Sequence, residues 1–163
     1  MANHLHPRST PNTVPWPPII FGASALAAVI LGRLLPIHIS APWEFRLAGV
    51  AGASLGLLLD VSAMLAMRRH HANILPHRPA TALVVTWPFS FSRNPIYLGN
   101  TLMFVSAAFA FDNAWFLPLA VIAVALVTKL AIEREELHLN ASFGGPWRAY
   151  STRVPRWLWP PPW

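Results

Sequence analysis

The run Ser92-Arg93-Asn94-Pro95-Ile96-Tyr97-Leu98-Gly99-Asn100 sets a cation, an amide and a phenol at the start of an apolar stretch. Farther on, Glu133, Glu135 and Glu136 follow directly on another apolar stretch. A guanidinium beside an exposed helix N-terminus suits a carboxylate or a phosphate. Paired glutamates suit an ammonium or a hydroxyl-bearing group. Phe89, Phe91, Tyr97 and Trp147 can line walls, since aromatic faces attract cations such as a sulfonium. Each feature also has a plainer reading: Arg93 as a basic membrane anchor, the glutamates as a solvated helix face. What decides between them is whether the chain brings the two runs together.

The elements that would do so are membrane helices. The apolar share is 55% and the charged share only 11%, far below the roughly 25% charged share of soluble domains. Length suggests one domain. The formal charge of +6 comes from residues between apolar runs, so a bilayer explains it better than nucleic acid, for which no recognition module is present. Without cysteine there are no disulfides, thiolate catalysis or cysteine-held metals. His70, His71 and His77 lack the acidic or thiolate partners of a metal set, so no metal is expected. Four apolar segments stand out: Ile19 to Leu35, Leu47 to Met67, Ile96 to Phe111 and Ala114 to Ile132. Each approaches the roughly 20 residues a bilayer requires, the first and third being short. Too few apolar residues precede Ala23-Ser24-Ala25 for a cleaved leader, so the first segment is expected to persist as a helix.

Only Asp112 and Asn113 separate the last two segments, which predicts a tight helical hairpin. Pro95 suits the first position of the third helix, and Asn94 can cap it. With the N-terminus inside, Arg8, Arg68, Arg69, Arg78, Arg93, Lys129, Arg134, Arg148, Arg153 and Arg156 share one side, and only Arg33 and Arg46 the other. That bias makes the first side cytoplasmic. The hairpin then makes the start of the third helix and the end of the fourth neighbours, so Arg93 faces the glutamates across one site. A zwitterion with an additional positive centre suits all the groups there, and S-adenosylmethionine is such a ligand.

In the second segment Ala48, Gly52, Gly56 and Asp60 recur every four residues, and Gly52 to Gly56 is a small-xxx-small match for close helix approach. An acid on that face is a functional candidate; the competing reading is a hydrogen bond to Asn100 or Thr101. Beyond Glu133 the fourth helix is expected to leave the membrane as EREELHLNASF and break at Gly144-Gly145-Pro146. The segment WRAYSTRV then follows at the membrane interface.

Two stretches carry a resemblance. PHRPATALVVTWPFSFSRNPIYLGN is similar to the first signature, and EELHLNASFGGPWRAYSTRVPR to the second, of the isoprenylcysteine carboxyl methyltransferase and phospholipid methyltransferase superfamily. Together they span about residues 66 to 158. The resemblance implies a membrane-embedded methyltransferase with S-adenosylmethionine as cofactor and an acceptor, lipophilic or lipid-linked, arriving from the bilayer. It implies cofactor contacts from Arg93, Asn94, Pro95, Tyr97, Gly99, Glu135, Glu136 and Tyr150. Arg93, Glu136 and Arg156 are its catalytic set, and Arg153 a weaker addition to the pocket. Three positions depart from the pattern. Trp87 stands for a glycine, which narrows the pocket or alters the turn; Asn94 stands for a histidine, as in bacterial-type members; Trp147 stands for a tyrosine.

The expected fold class is therefore all-α, an integral membrane bundle of about four transmembrane helices with a C-terminal interfacial segment. The single domain comprises a polar tail over 1–17, a membrane region over 19–132 and a cofactor-capping segment over 133–163. Both termini are expected in the cytoplasm and the protein in a bacterial inner membrane. The rival readings are a nicotinamide-dependent enzyme like the sterol reductases, and an inactive membrane scaffold of the same fold.

Overall fold

The computed structural model of the chain describes residues 16–73 and 81–158. Arg8, His77, Arg78 and nearly all of the expected N-terminal tail lie outside the described residues. Helix α1 (Trp16–Leu34) opens on Pro17 and Pro18, which the first turn tolerates because its amides are unpaired. Helix α2 covers Trp43–Arg69, α3 Pro95–Ala110 and α4 Phe116–Val127. A π-helical turn (Thr128–Ile132) joins α4 without a break to α5 (Glu133–Phe143), and α6 (Gly145–Ser151) follows. The protein is an all-α bundle, and three helices among the described residues are long and apolar enough to cross a membrane: α1, α2 and the continuous Phe116–Phe143. Helix α3 is shorter, with 16 residues.

Apolar side chains face outward along these helices, among them Leu26, Val50, Leu57, Leu58 and Val121. In a soluble protein such a surface would aggregate; in lipid it is solvated. Inside, Ile20, Phe21 and Ala28 of α1 pack with Phe104 and Ala108 of α3 and with Phe116, Ala120, Ala123 and Val127 of α4.

The α2–α3 pair is closer. A methyl group added to Gly49 would sit 2.8 Å from the Ser106 carbonyl, and one on Gly56 would sit 2.6 Å from the Gly99 carbonyl. Gly52 faces the Ser106 hydroxyl. Lipid tails are as apolar as leucine, so membrane helices associate through close van der Waals contact, and bare backbone permits it. The expected stripe needs one correction. Ala48 is exposed, and Gly49 takes its place. The 3.6-residue period brings the third residue before Gly52 onto the face rather than the fourth. Asp60 is buried on this stripe, its Oδ1 against the Gly99 backbone and without a hydrogen-bond partner among the described residues. Neither expected donor reaches it. Asn100 Nδ2 donates to the Ile96 carbonyl (2.8 Å) and Thr101 Oγ1 to the Tyr97 carbonyl (2.7 Å).

The hairpin between α3 and α4 turns at Asp112, whose φ is 51°. This turn ties down the α1–α2 connection. Asp112 Oδ1 accepts from the amides of Ile39 (3.0 Å) and Ser40 (2.9 Å), while Oδ2 meets His38 Nδ1 (3.2 Å) and Arg46 Nη2 (3.3 Å). Partial desolvation raises the Asp112 carboxyl, but the Ser40 amide, His38 and the Ile39 amide together outweigh it and leave it below the usual carboxylate range. A depressed folded-state value means the bridge stabilises above the unfolded value, near 3.9; that contribution is lost as pH falls through the folded value. Asp112→Asn tolerates the left-handed backbone but loses the charge. Melting curves in detergent should show it less stable than wild type at neutral pH, the two converging as pH drops below about 4. A gap of constant size would refute the bridge.

Candidate active site

Pro95 starts α3 as expected, and it is fully buried. Asn94 holds the N-cap position, yet its side chain does not cap the helix. It donates instead from Nδ2 to the Arg156 carbonyl (2.9 Å). The Ser92 hydroxyl donates to the same carbonyl (3.3 Å), and the Arg93 amide donates to the Pro155 carbonyl (2.9 Å). Farther back, Tyr150 Oη donates to the Phe89 carbonyl (2.7 Å). The C-terminal segment is thus laced to the turn before α3 at Phe89, Ser92, Arg93 and Asn94. It can reach because Gly144, at φ 54°, ends α5 in a conformation that favours glycine and lets α6 fold back. Trp147, Tyr150 and Val154 then pack into a small core with Leu83, Leu139 and Phe143.

The lacing brings three charged side chains together. Glu136 Oε1 lies 3.1 Å from Arg93 Nη1 and accepts from Arg156 Nε at 3.0 Å. Glu136 Oε2 accepts from Arg156 Nη2 at 2.6 Å. The Arg93 side chain is only 8% exposed and Glu136 18%. Burial pushes the Arg93 guanidinium down from its ordinary value, and Glu136 pulls it back. The hydrogen bond to Glu136 raises Arg156. Arg93 also rests on the Trp147 ring, 5.7 Å from its centroid, where a cation is attracted by the negative face. Two guanidinium groups share one carboxylate, so the cluster favours an anion. Arg93 Nε is buried and lacks a hydrogen-bond partner among the described residues.

The three neighbouring glutamates separate. Glu133 pairs with Lys129 on the surface at 2.8 Å, the solvated-face behaviour. Glu135 Oε2 accepts from Tyr97 Oη at 3.3 Å, joining α5 to α3. Only Glu136 meets the arginines. Of the expected set, Arg93, Asn94, Glu136, Tyr150 and Arg156 lie in this network, while Tyr97 and Glu135 form a separate pair between α3 and α5. Gly99 lies in neither: it faces α2, where it makes room for Gly56 and Asp60. Arg153 is also apart, donating from Nε to the Ala149 carbonyl. Trp87 turns to the surface at 63% exposed and stacks on Phe91, with centroids 5.4 Å apart. Sequence reasoning gave Ser92 and the Pro155 carbonyl no role, since backbone acceptors leave no mark in residue type.

The sequence profile of the phospholipid methyltransferase family matches residues 45–145, more than half of the chain. The chain belongs to the phospholipid methyltransferase family. No curated relative and no solved structure matches it. The matched stretch holds Arg93 and Glu136 but ends before Trp147, Tyr150 and Arg156. The structure therefore ties the family-matched part of the cluster to three residues beyond the match. A methyltransferase family favours methyl transfer over the nicotinamide-dependent reading, and the three long apolar helices make this family member multi-pass in the membrane.

Tyr150 separates a bracing role from a binding one. Burial holds its phenol well above the ordinary value, so it donates and does not ionise. Tyr150→Phe leaves the Phe89 carbonyl unpaired and should cost about 1–2 kcal/mol in a denaturant melt. If the hydroxyl only braces the strap, affinity for the methyl donor changes less than stability does. A large loss of affinity with an unchanged melt would make Tyr150 a cofactor contact.

Proposed function

We propose that this phospholipid methyltransferase family member is an S-adenosylmethionine-dependent enzyme acting on a small lipophilic or lipid-anchored acceptor at the membrane surface. The observation that carries the reading is the Arg93–Glu136–Arg156 cluster, in which Arg93 is buried and has a spare donor at Nε. The residues present fit the cofactor. Arg93 and its excess positive charge suit a carboxylate. Glu135 and Tyr97 suit hydroxyl or ammonium groups, and the Trp147 and Tyr97 rings suit a cation. When bound, the cofactor supplies an electrophilic methyl group on a sulfonium.

The chain's own residues contribute alignment and exclusion of water, which account for most of the rate of an in-line displacement. Glu136 holds Arg93 and Arg156 in place and has both oxygens engaged, so it acts as a positioning residue and not as a base. An acceptor that must lose a proton, such as an amine or thiol, would pass it to Glu135 Oε1, the oxygen that Tyr97 does not occupy. A carboxylate or thiolate acceptor needs no base. We read the basic end of the bundle as cytoplasmic, with α3 completing four crossings and both termini on that side. We read Asn94, where the resemblance has histidine, as a bacterial-type feature, and the membrane as a bacterial inner membrane.

Calorimetric titration of S-adenosylmethionine into the detergent-solubilised full chain tests the reading. Saturable heat that weakens in Arg93→Ala supports it, and the absence of binding refutes it.

A further inference from the structure

At the end of the bundle away from Arg93, the last turn of α1, the connection to α2 and the α3–α4 turn line an open cavity of about 320 Å³. Val29, Ile37, Phe111 and Phe116 form its apolar wall, and Arg33 and Asp112 are its ionised groups. Asp112 is fully engaged, by two amides on one oxygen and by His38 and Arg46 on the other. Arg33 has no carboxylate partner among the described residues. The cavity is thus an apolar recess with one uncompensated cation. Its size matches a headgroup and a few methylenes rather than a whole lipid.

Position narrows the occupant. Arg33 lies in the last turn of α1, where a membrane span ends and lipid phosphates lie. Val29 belongs both to the cavity wall and to the outward apolar face of α1, which continues through Leu26 and Ile30. An acyl chain lying along α1 therefore reaches the cavity without crossing water. A free anion would gain the arginine but nothing from the apolar wall. We infer that this cavity seats the headgroup of an anionic phospholipid from the leaflet opposite the candidate active site, its phosphate on Arg33 and its chain against Val29. This site stands apart from the methyl-transfer reading and does not depend on it.

Native mass spectrometry of the full chain, loaded with phosphatidylglycerol or with phosphatidylcholine of the same chains, tests the assignment. Wild type should retain phosphatidylglycerol in preference, and Arg33→Gln should lower that retention about fivefold, the contribution of one basic side chain near an anionic lipid. Arg68→Gln, at the other end of α2, should leave it unchanged. Val29→Trp, which fills the recess and keeps Arg33, should also reduce retention. Equal retention in Arg33→Gln, an equal loss in Arg68→Gln or full retention in Val29→Trp would each overturn the site. Displacement of the lipid by inorganic phosphate alone would assign the cavity to a free anion and overturn the lipid reading.

Discussion

Glu136→Gln should lower methyl transfer by about a hundredfold, the scale of loss when a positioned group is misplaced by an ångström. Glutamine keeps the size of the side chain and removes its charge. Arg93 and Arg156 then face each other across a neutral amide, with Arg93 almost wholly withdrawn from water. Hydrogen bonds to charged groups contribute about 1.5–3 kcal/mol each, so the guanidinium groups separate rather than stay. Glu136→Asp keeps the charge but shortens the reach to both arginines and should restore only part of the activity. A radiolabelled methyl donor supplied with membrane lipid extract gives the rate, and calorimetry gives the donor's affinity. Loss of both, with a melt lowered only modestly, fits a positioning role. A scaffold would show no turnover in wild type and no difference in the variant. Undiminished turnover would remove Glu136 from the machinery.

Gly99→Ala should be the most damaging single methyl group in the bundle, destabilising it by about 1–3 kcal/mol as overpacked cores do. The new carbon would collide with Asp60 Oδ1 and lie 2.6 Å from the Gly56 carbonyl. Rotation of a side chain relieves the first contact but not the second, because the carbonyl belongs to the backbone of α2. The two helices must move apart, and the Gly49 and Gly52 contacts open with them. Gly22→Ala is the control: nothing lies within 4 Å of an added carbon there, and alanine is the better helix former. Thermal melts in one detergent should lower Gly99→Ala and leave Gly22→Ala level or raised. Were Gly99 instead a cofactor contact, its variant would keep its melt and lose donor affinity.

The hairpin was legible because two residues between apolar runs leave no other path, and it brought Arg93 to the glutamates. The sequence could not say which glutamate would meet it. All three follow the same apolar segment, and a helix of constant pitch does not distinguish Glu135 from Glu136. The small-residue stripe was legible in kind and misplaced by one position, since a four-residue step drifts off a 3.6-residue face within two turns. Asn94 looked like a cap because asparagine before proline so often is one; a carbonyl from the far end of the chain took its amide instead. Asp60 was marked by its charge and by its place on the small-residue stripe, but its partner was not legible. Its neighbour across the interface is a glycine backbone, which no reading of polar residue types would pair with it.

The π-helical turn at Thr128–Ile132 bears on how the glutamates are aimed. Such a turn amounts to one inserted residue in an α-helix, and one residue is about 100° of azimuth. It acts as a phase shifter between two tasks that a uniform rod would couple. Upstream, the helix presents Val127 and Ala123 to the core and Val121 to lipid; downstream, it turns Glu136 toward Arg93. Winding these same residues as regular α-helix, with none removed, would leave the membrane half where it is. The carboxylate would swing by about a quarter of a revolution, and the arginines would lose it without any charge having been removed.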